Sequence, residues 1–430
     1  MSRDHEGIRW MKTAGMPVFF LMTAVLCELK IPVLIVSGIV SAVMMPVLHH
    51  QKKKEEEESR CLEESAFYME QLIYSFRKHY KISGALRDLS QITEGKLHRC
   101  IVTARKHLDG REEDDLFRHT FSCIEQEYGN HLMYLLHGFL IRVEEQGGDC
   151  IPALELLMNQ LRDWKKNQKT FRSRNMSIKG RLTFSIVLSC LICISVVRMM
   201  PLVTGVTNLM AYQICTGAGL VIFQLLYLLF RTMSVGIEYE KRDSAGGSRQ
   251  SERMEKLYSR LDSPVHGMRY WNTVRILERE IRMHFPEWMF DMILRLQTEN
   301  VQTAIFRSLD DAPEVLVRPL FQLIRQQQAD PVSIQPYLDF LKEFNLPEIR
   351  AVMMQLYAIN DMGKEEIQEQ IYAMLDQNQR LTEVAAELKM DSVLSWMGLL
   401  AAVPMLVSVV VLVINLSLML FSFLGDMYHL

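Results

Sequence analysis

Gly363-Lys364 is the chain's closest approach to the phosphate-cradling motif G-x-x-x-x-G-K-[ST], whose backbone N–H groups and lysine hold a nucleotide. Ala358 stands where the first Gly is needed, and Glu365 where a hydroxyl should reach Mg²⁺. No loop of that kind is present, which argues against ATP hydrolysis by this chain. His119 and Cys123 stand four apart on a predicted helix, with His98, Cys100, His107 and His131 nearby. Four such ligands could hold zinc. No C-x-x-C stands among them and the spacings follow no zinc pattern, so they read as surface histidines and half-buried cysteines. Cys190 and Cys193 do form a C-x-x-C, but inside an apolar run, where they are small packing residues. Leu424-Gly425-Asp426 follows the last apolar run, and Asp426 has no intramembrane carboxylate partner for aspartyl chemistry. The reading is of a protein that is not an enzyme, with no catalytic residue, cofactor or metal.

Charged residues suit binding better. Arg162, Lys165, Lys166 and Lys169 recur at three- and four-residue steps along one predicted helix that leads into an apolar run. Such a face attracts lipid headgroups or docks an acidic partner. Residues 231–391 are acidic instead, with 20 Lys and Arg against 26 Asp and Glu, and so present a different face. The net charge of −3 speaks against a nucleic-acid partner, which calls for a basic face. The eight Cys are scattered through apolar runs and helix-like segments, as reduced thiols would be and a disulfide framework would not.

The elements that must position these groups begin with the apolar runs. Met16–Cys27 is short for a span of about 20 residues; it must thin the bilayer, borrow the Ile8–Trp10 turn, or form half of a re-entrant hairpin. Ile31–Leu48 follows after Glu28-Leu29-Lys30, and Leu182–Met200 and Leu209–Phe230 form a hairpin through Pro201–Asn208. Val393–Leu424 holds 32 residues, about 48 Å of helix against a hydrocarbon core of about 30 Å, with Pro404 placed to kink it. Five spans with the long polar regions cytoplasmic put 46 of the 48 Lys and Arg on one side, leaving Lys30 and Arg198 beyond. The expected fold is therefore an all-α membrane protein: a hairpin over 1–50, a cytoplasmic helical domain over 51–180 and a membrane hairpin over 181–231. A linker and connecting helix (232–282), a second cytoplasmic domain (283–391) and a last span (392–430) complete it.

Both cytoplasmic regions carry apolar residues at helical spacing and no strand alternation. Helix stops are expected at Ser83-Gly84, Gly110, Gly129-Asn130 and Gly147-Gly148, and then at Glu299-Asn300, Asp311–Pro313, Ala329–Pro331, Asn345–Pro347 and Gly363. A constant offset of 216 pairs Phe121 with Tyr337, Tyr128 with Phe344, Leu136 with Val352, Gly147 with Gly363 and Met158 with Met374. Further upstream the pairing needs gaps: Phe67 and Met69 with Phe290 and Met292, then Ala85-Leu86 with Ala304-Ile305. The pattern reads as one unit written twice, with Gly84, Gly147 and Gly363 as structural turns and Gly236–Gly267 as a flexible linker.

A helical unit, a membrane hairpin, a second helical unit and a final span form an uncommon plan. With its helix starts at Ser83-Gly84-Ala85-Leu86 and Gly147–Leu154, and the basic helix Leu161–Arg181, it resembles the inner-membrane platform (F) family of type II secretion and type IV pilus systems. The added N-terminal hairpin is similar to the tight-adherence branch. The second unit departs from the pattern, with Gln302-Thr303 where Gly is expected and Gln370-Ile371 in place of the second Ala-Leu. The resemblance implies cytoplasmic bundles of about six helices each, set in the bacterial inner membrane beneath a pilus. It also implies contact with a hexameric secretion ATPase, with pilin subunits and with a second platform protein or another copy. The rival classes are a transporter or channel, against which the scarcity of intramembrane charge speaks, and a sensor, which has almost nothing outside the membrane to sense with.

Overall fold

The computed structural model describes all residues except 1, 110–119, 148–149, 200–205, 234–246, 262–266, 361, 363 and 429–430. Among the described residues there is no strand. The helices are α1 (Ser2–Leu26), α2 (Ile31–His79), α3 (Ile82–Ile92), α4 (Gly95–Asp109), α5 (Ser122–Tyr128), α6 (His131–Gln146) and α7 (Ile151–Met199). They continue as α8 (Met210–Met233), α9 (Gly247–Leu261), α10 (Met268–Arg295), α11 (Val301–Ser308), α12 (Glu314–Ala329), α13 (Gln335–Asp339), α14 (Pro347–Ile359) and α15 (Lys364–Tyr428). Two compact units emerge: one of residues 1–61, 168–239 and 392–430, the other of residues 62–167 and 240–391.

The first unit is apolar. Helices α2, α7, α8 and α15 are long and apolar enough to cross a membrane, and Ala14–Leu26 of α1 is a shorter apolar helix. Helix α1 runs from Ser2, so the Ile8–Trp10 turn lies on the same helix as the short run. Two turns of this unit are pinned together. Glu28 takes a left-handed φ of 52° between α1 and α2. The Gln213 side chain closes on that turn, accepting from Lys30 N at 2.7 Å and donating to Glu28 O at 3.1 Å. Its amide also donates to Thr207 O at 2.7 Å, in the turn before α8, and Lys30 Nζ reaches Asn208 O at 3.0 Å. Between the helices the approach is close. A Cβ on Gly217 of α8 would lie 2.4 Å from Val33 Cγ1 on α2, and one on Gly219 2.8 Å from Val411 Cγ2 on α15. Small residues at such crossings replace the hydrophobic drive that lipid removes.

The second unit holds both polar regions together, where two separate domains were expected. The first polar region is narrower than expected, since residues 51–61 and 168–180 group with the apolar helices, and the second begins at 240 where 283 was expected. Two helix boundaries lie 216 positions apart: α2 and α10 stop at His79 and Arg295, and the N-caps of α6 and α14 are Asn130 and Leu346. Buried Met69, Leu72, Ile73 and Phe76 then correspond to buried Phe285, Trp288, Met289 and Met292. This corrects the pairing of Phe67 with Phe290, which set a residue 41% exposed against one 2% exposed. That register was seven residues out; seven residues are nearly two whole turns, so the error kept its helical face. After one three-residue step, Ile82, Ala85 and Leu86 of α3 match Val301, Ala304 and Ile305 of α11, all buried.

Three further expectations change. The first break falls at Tyr80-Lys81, where Tyr80 has φ 54°, and Gly84 lies within α3. Gly84 is small for a steric reason: a Cβ there would sit 2.8 Å from His79 Cβ. The linker reading fails over 247–261, because α9 is an amphipathic helix whose Met254, Leu257 and Tyr258 enter the core of the second polar region. Its period was masked by nine charged or small polar residues among fifteen, a composition that suits a helix buried on one narrow stripe. Gly147, by contrast, is the turn expected: φ 72° and ψ −166° after α6, a region open essentially to Gly alone. Gly110, Gly363 and most of Pro201–Asn208 lie outside the described residues.

Candidate functional site

The basic residues predicted for docking lie along α7, on the polar side of its apolar run. Arg162 and Lys169 are exposed, and Arg162 Nη1 donates to Asn159 Oδ1 at 3.3 Å. Lys166 is exposed as well, with a partner of its own. Lys165 is committed internally, in an ion pair with Glu70 of α2. It belongs to a series: Arg77 pairs with Glu155 at 3.6 Å, and Lys179 pairs with Glu55. Partner numbers fall on α7 as they rise on α2, so the series zips two antiparallel helices. The pair at 77 and 155 is well exposed and worth little. Glu55 and Lys179 are only 21% and 15% exposed, and Glu55 also meets Arg231 of α8 at 3.6 Å. One carboxylate thus serves cations from two helices where their apolar runs end.

Two buried polar clusters escaped the sequence reading. In the first, His137 of α6 lies flat on Phe121, ring centroids 3.9 Å apart and planes 10° apart. Its Nδ1 is 2.7 Å from Glu125 Oε1 and its Nε2 3.0 Å from the Tyr68 hydroxyl. A carboxylate only accepts, so Nδ1 carries the proton and Nε2 accepts from Tyr68. Burial pulls the His137 pKa below its ordinary value despite the Glu125 hydrogen bond, and burial, then Glu125, pushes Tyr68 up. The order Tyr–His–Glu has the form of a proton relay. Tyr68 is fully buried, and the cluster fixes α2, α5 and α6 to one another.

The second cluster joins α6 to α10. Arg295 Nε donates to Asp291 Oδ2 at 2.6 Å, and its Nη2 donates to Asp311 Oδ2 at 3.0 Å. Arg142 Nη2 lies 3.9 Å from Asp291 Oδ1, and neither atom has a hydrogen-bond partner among the described residues. Burial, then the like charge of Arg295, lowers the pKa of Arg142. A signal existed in the sequence: Asp291 and Arg295 are opposite charges four apart inside the apolar run Trp288–Leu296, the spacing of an in-helix ion pair.

Of the residues weighed for zinc, Cys100 and Cys123 meet, with sulfurs 3.0 Å apart. His107 is exposed, His98 and His131 are half-buried, and His119 lies outside the described residues. Among the described residues no group of three or more His, Cys, Asp or Glu is placed to hold a metal ion. Cys190 and Cys193 are buried and, with Cys27, line a cavity of about 10 Å³ between the apolar helices, room for about one water. The apolar unit also carries side-chain hydrogen bonds between helices. Gln224 Nε2 donates to Ser37 Oγ at 2.9 Å and Ser41 Oγ at 3.1 Å, and Asn415 Nδ2 to Thr216 Oγ1 at 3.2 Å. These amides join the apolar helices to one another. Comparison of the chain with protein-family models, with curated proteins and with solved structures found no match.

Proposed function

We propose that the chain is the inner-membrane platform of a pilus-assembly or type II-like secretion machine, not itself an enzyme, coupling a cytoplasmic secretion ATPase to pilin assembly. One observation carries the reading: α2, α7 and α15 each run unbroken from an apolar stretch into the polar helical unit. A hydrogen-bonded helix transmits displacement and rotation along its axis where a loop would absorb them. A chain built this way suits a part that passes a partner's motion to something in the bilayer. Matching helix ends in the two polar regions support duplication of one unit of about six helices, as the family resemblance implies. The basic residues flanking the apolar runs support a cytoplasmic position for both. Exposed Arg162 and Lys169, with Lys166 beside them, are the candidate docking face, and Lys165 serves internally. Crosslinking in native membranes, detergent extraction and pull-down tests the proposal. Recovery of a secretion ATPase together with pilin-like proteins is expected, and surface fibres are expected to vanish when the gene is deleted. Intact fibres in the deletion strain would reject the platform reading. The carbonyls of Gln224 and Asn415, which lack a hydrogen-bond partner among the described residues, are what a transporter reading would build on, and flux in proteoliposomes is its test.

A further inference from the structure

Cys100 lies on α4 and Cys123 in the first turn of α5. The Cys123 thiol donates to Cys100 Sγ at 3.0 Å. A disulfide places its sulfurs about 2.05 Å apart, so closing the pair asks for a movement of about 1 Å. The two residues differ in burial: Cys100 is 6% exposed and Cys123 half-buried, so Cys123 is the more accessible of the pair.

We propose that Cys100 and Cys123 form a reversible dithiol–disulfide site that fastens α4 to α5, with a small disulfide such as oxidised glutathione as its oxidant. The Cys123 thiolate, its proton lost to solvent, attacks one sulfur of the oxidant. A mixed disulfide forms and one glutathione thiolate leaves. Cys100 then loses its proton and its sulfur attacks Cys123 Sγ; the protein disulfide forms and the second glutathione leaves. Two electrons pass from the cysteine pair to the oxidant, which ends as two glutathione thiols. Burial, with the neighbouring Cys123, pushes the Cys100 thiol up to about 12, so Cys100 is not the first to attack; the Cys123 hydrogen bond and charge that help to hold it there are gone once Cys123 is a mixed disulfide. The bond would close a loop over the segment between α4 and α5. It would stiffen the helix that supplies Glu125 to His137.

The test uses the full chain in detergent micelles, incubated with oxidised glutathione, alkylated, and digested without reduction for mass spectrometry. The expected result is a linked Cys100–Cys123 peptide, with free Cys100 and free Cys123 lost in equal measure and both recovered by dithiothreitol. In Cys100→Ser the glutathione should stay on Cys123, and in Cys123→Ser the Cys100 thiol should stay free. Wild-type protein that keeps both thiols free, or that holds glutathione on Cys123 without forming the link, would overturn the proposal. So would glutathione on Cys100 in Cys123→Ser.

Discussion

At the scale of single residues, burial decides which polar groups have consequences. His137 is neutral in the folded protein because burial disfavours its charged form. The unfolded chain takes up that proton near the ordinary value of 6.5, and the folded chain only at a lower pH. Below 6.5 the unfolded state therefore binds more protons, and the stability that His137 supports falls as pH falls through the window beneath 6.5. Above 6.5 it is fully present. The thermal midpoint of wild-type protein in detergent should drop from pH 7 to pH 5 more steeply than that of His137→Gln; parallel slopes would refute the assignment. Tyr68→Phe removes the donor to Nε2 and leaves a buried acceptor unpaired, at a cost of about 1–3 kcal/mol. Chemical denaturation against wild type measures it, and a loss below a few tenths would show that Nε2 finds another partner. The four basic residues chosen from sequence show the opposite case. Spacing located their helix, but Lys165 is engaged within the chain because α2 offers Glu70 opposite, and which carboxylate stands opposite is a fact of packing that spacing does not hold.

At the scale of elements, two glycines mark where helices meet or turn. Gly217→Ala drives a Cβ to 2.4 Å from Val33 Cγ1, so α2 and α8 must separate or Val33 must shift. Overpacking of this kind costs about 1–3 kcal/mol. The expected outcome is a lower midpoint for Gly217→Ala, restored in part by Val33→Ala in the same chain; no recovery would place the damage elsewhere. Gly147→Ala forces a side chain onto φ 72° and ψ −166°, at about 1–3 kcal/mol, readable as a lower midpoint. Gly147 was legible in the sequence, since a glycine pair interrupting a strong apolar period has few other meanings. So were the stops at Asn130, Asn300 and Pro347, because side-chain caps and proline act locally: Asn130 and Asn300 each accept from the backbone N–H three residues on. Helix α9 was hidden, for it buries only the narrow stripe of Met254, Leu257 and Tyr258 and has little other apolar content of its own. The approach of Arg142 to Asp291 was hidden likewise, because it joins helices about 150 positions apart and no local pattern records it.

At the scale of the whole molecule, the continuity of α15 is the most demanding feature. Its 65 residues correspond to about 98 Å of helix. One alanine inserted near residue 391 would turn everything downstream by about 100°, whereas seven would turn it by only about 20°. In the platform reading the single insertion should abolish surface fibres. The seven-residue insertion should leave fibre number closer to wild type, counted by electron microscopy at matched protein levels. Equal fibre counts in both strains would show that rotation along α15 carries nothing. The same continuity bears on how the protein yields to proteolysis. The chain passes between its two units four times, and at 61–62, 167–168 and 391–392 the passage lies inside a helix. Proteases need an extended, unfolded stretch of several residues, and none of these three places supplies one without local melting. Cleavage at any of these three places would therefore have to wait for local melting of the helix that contains it.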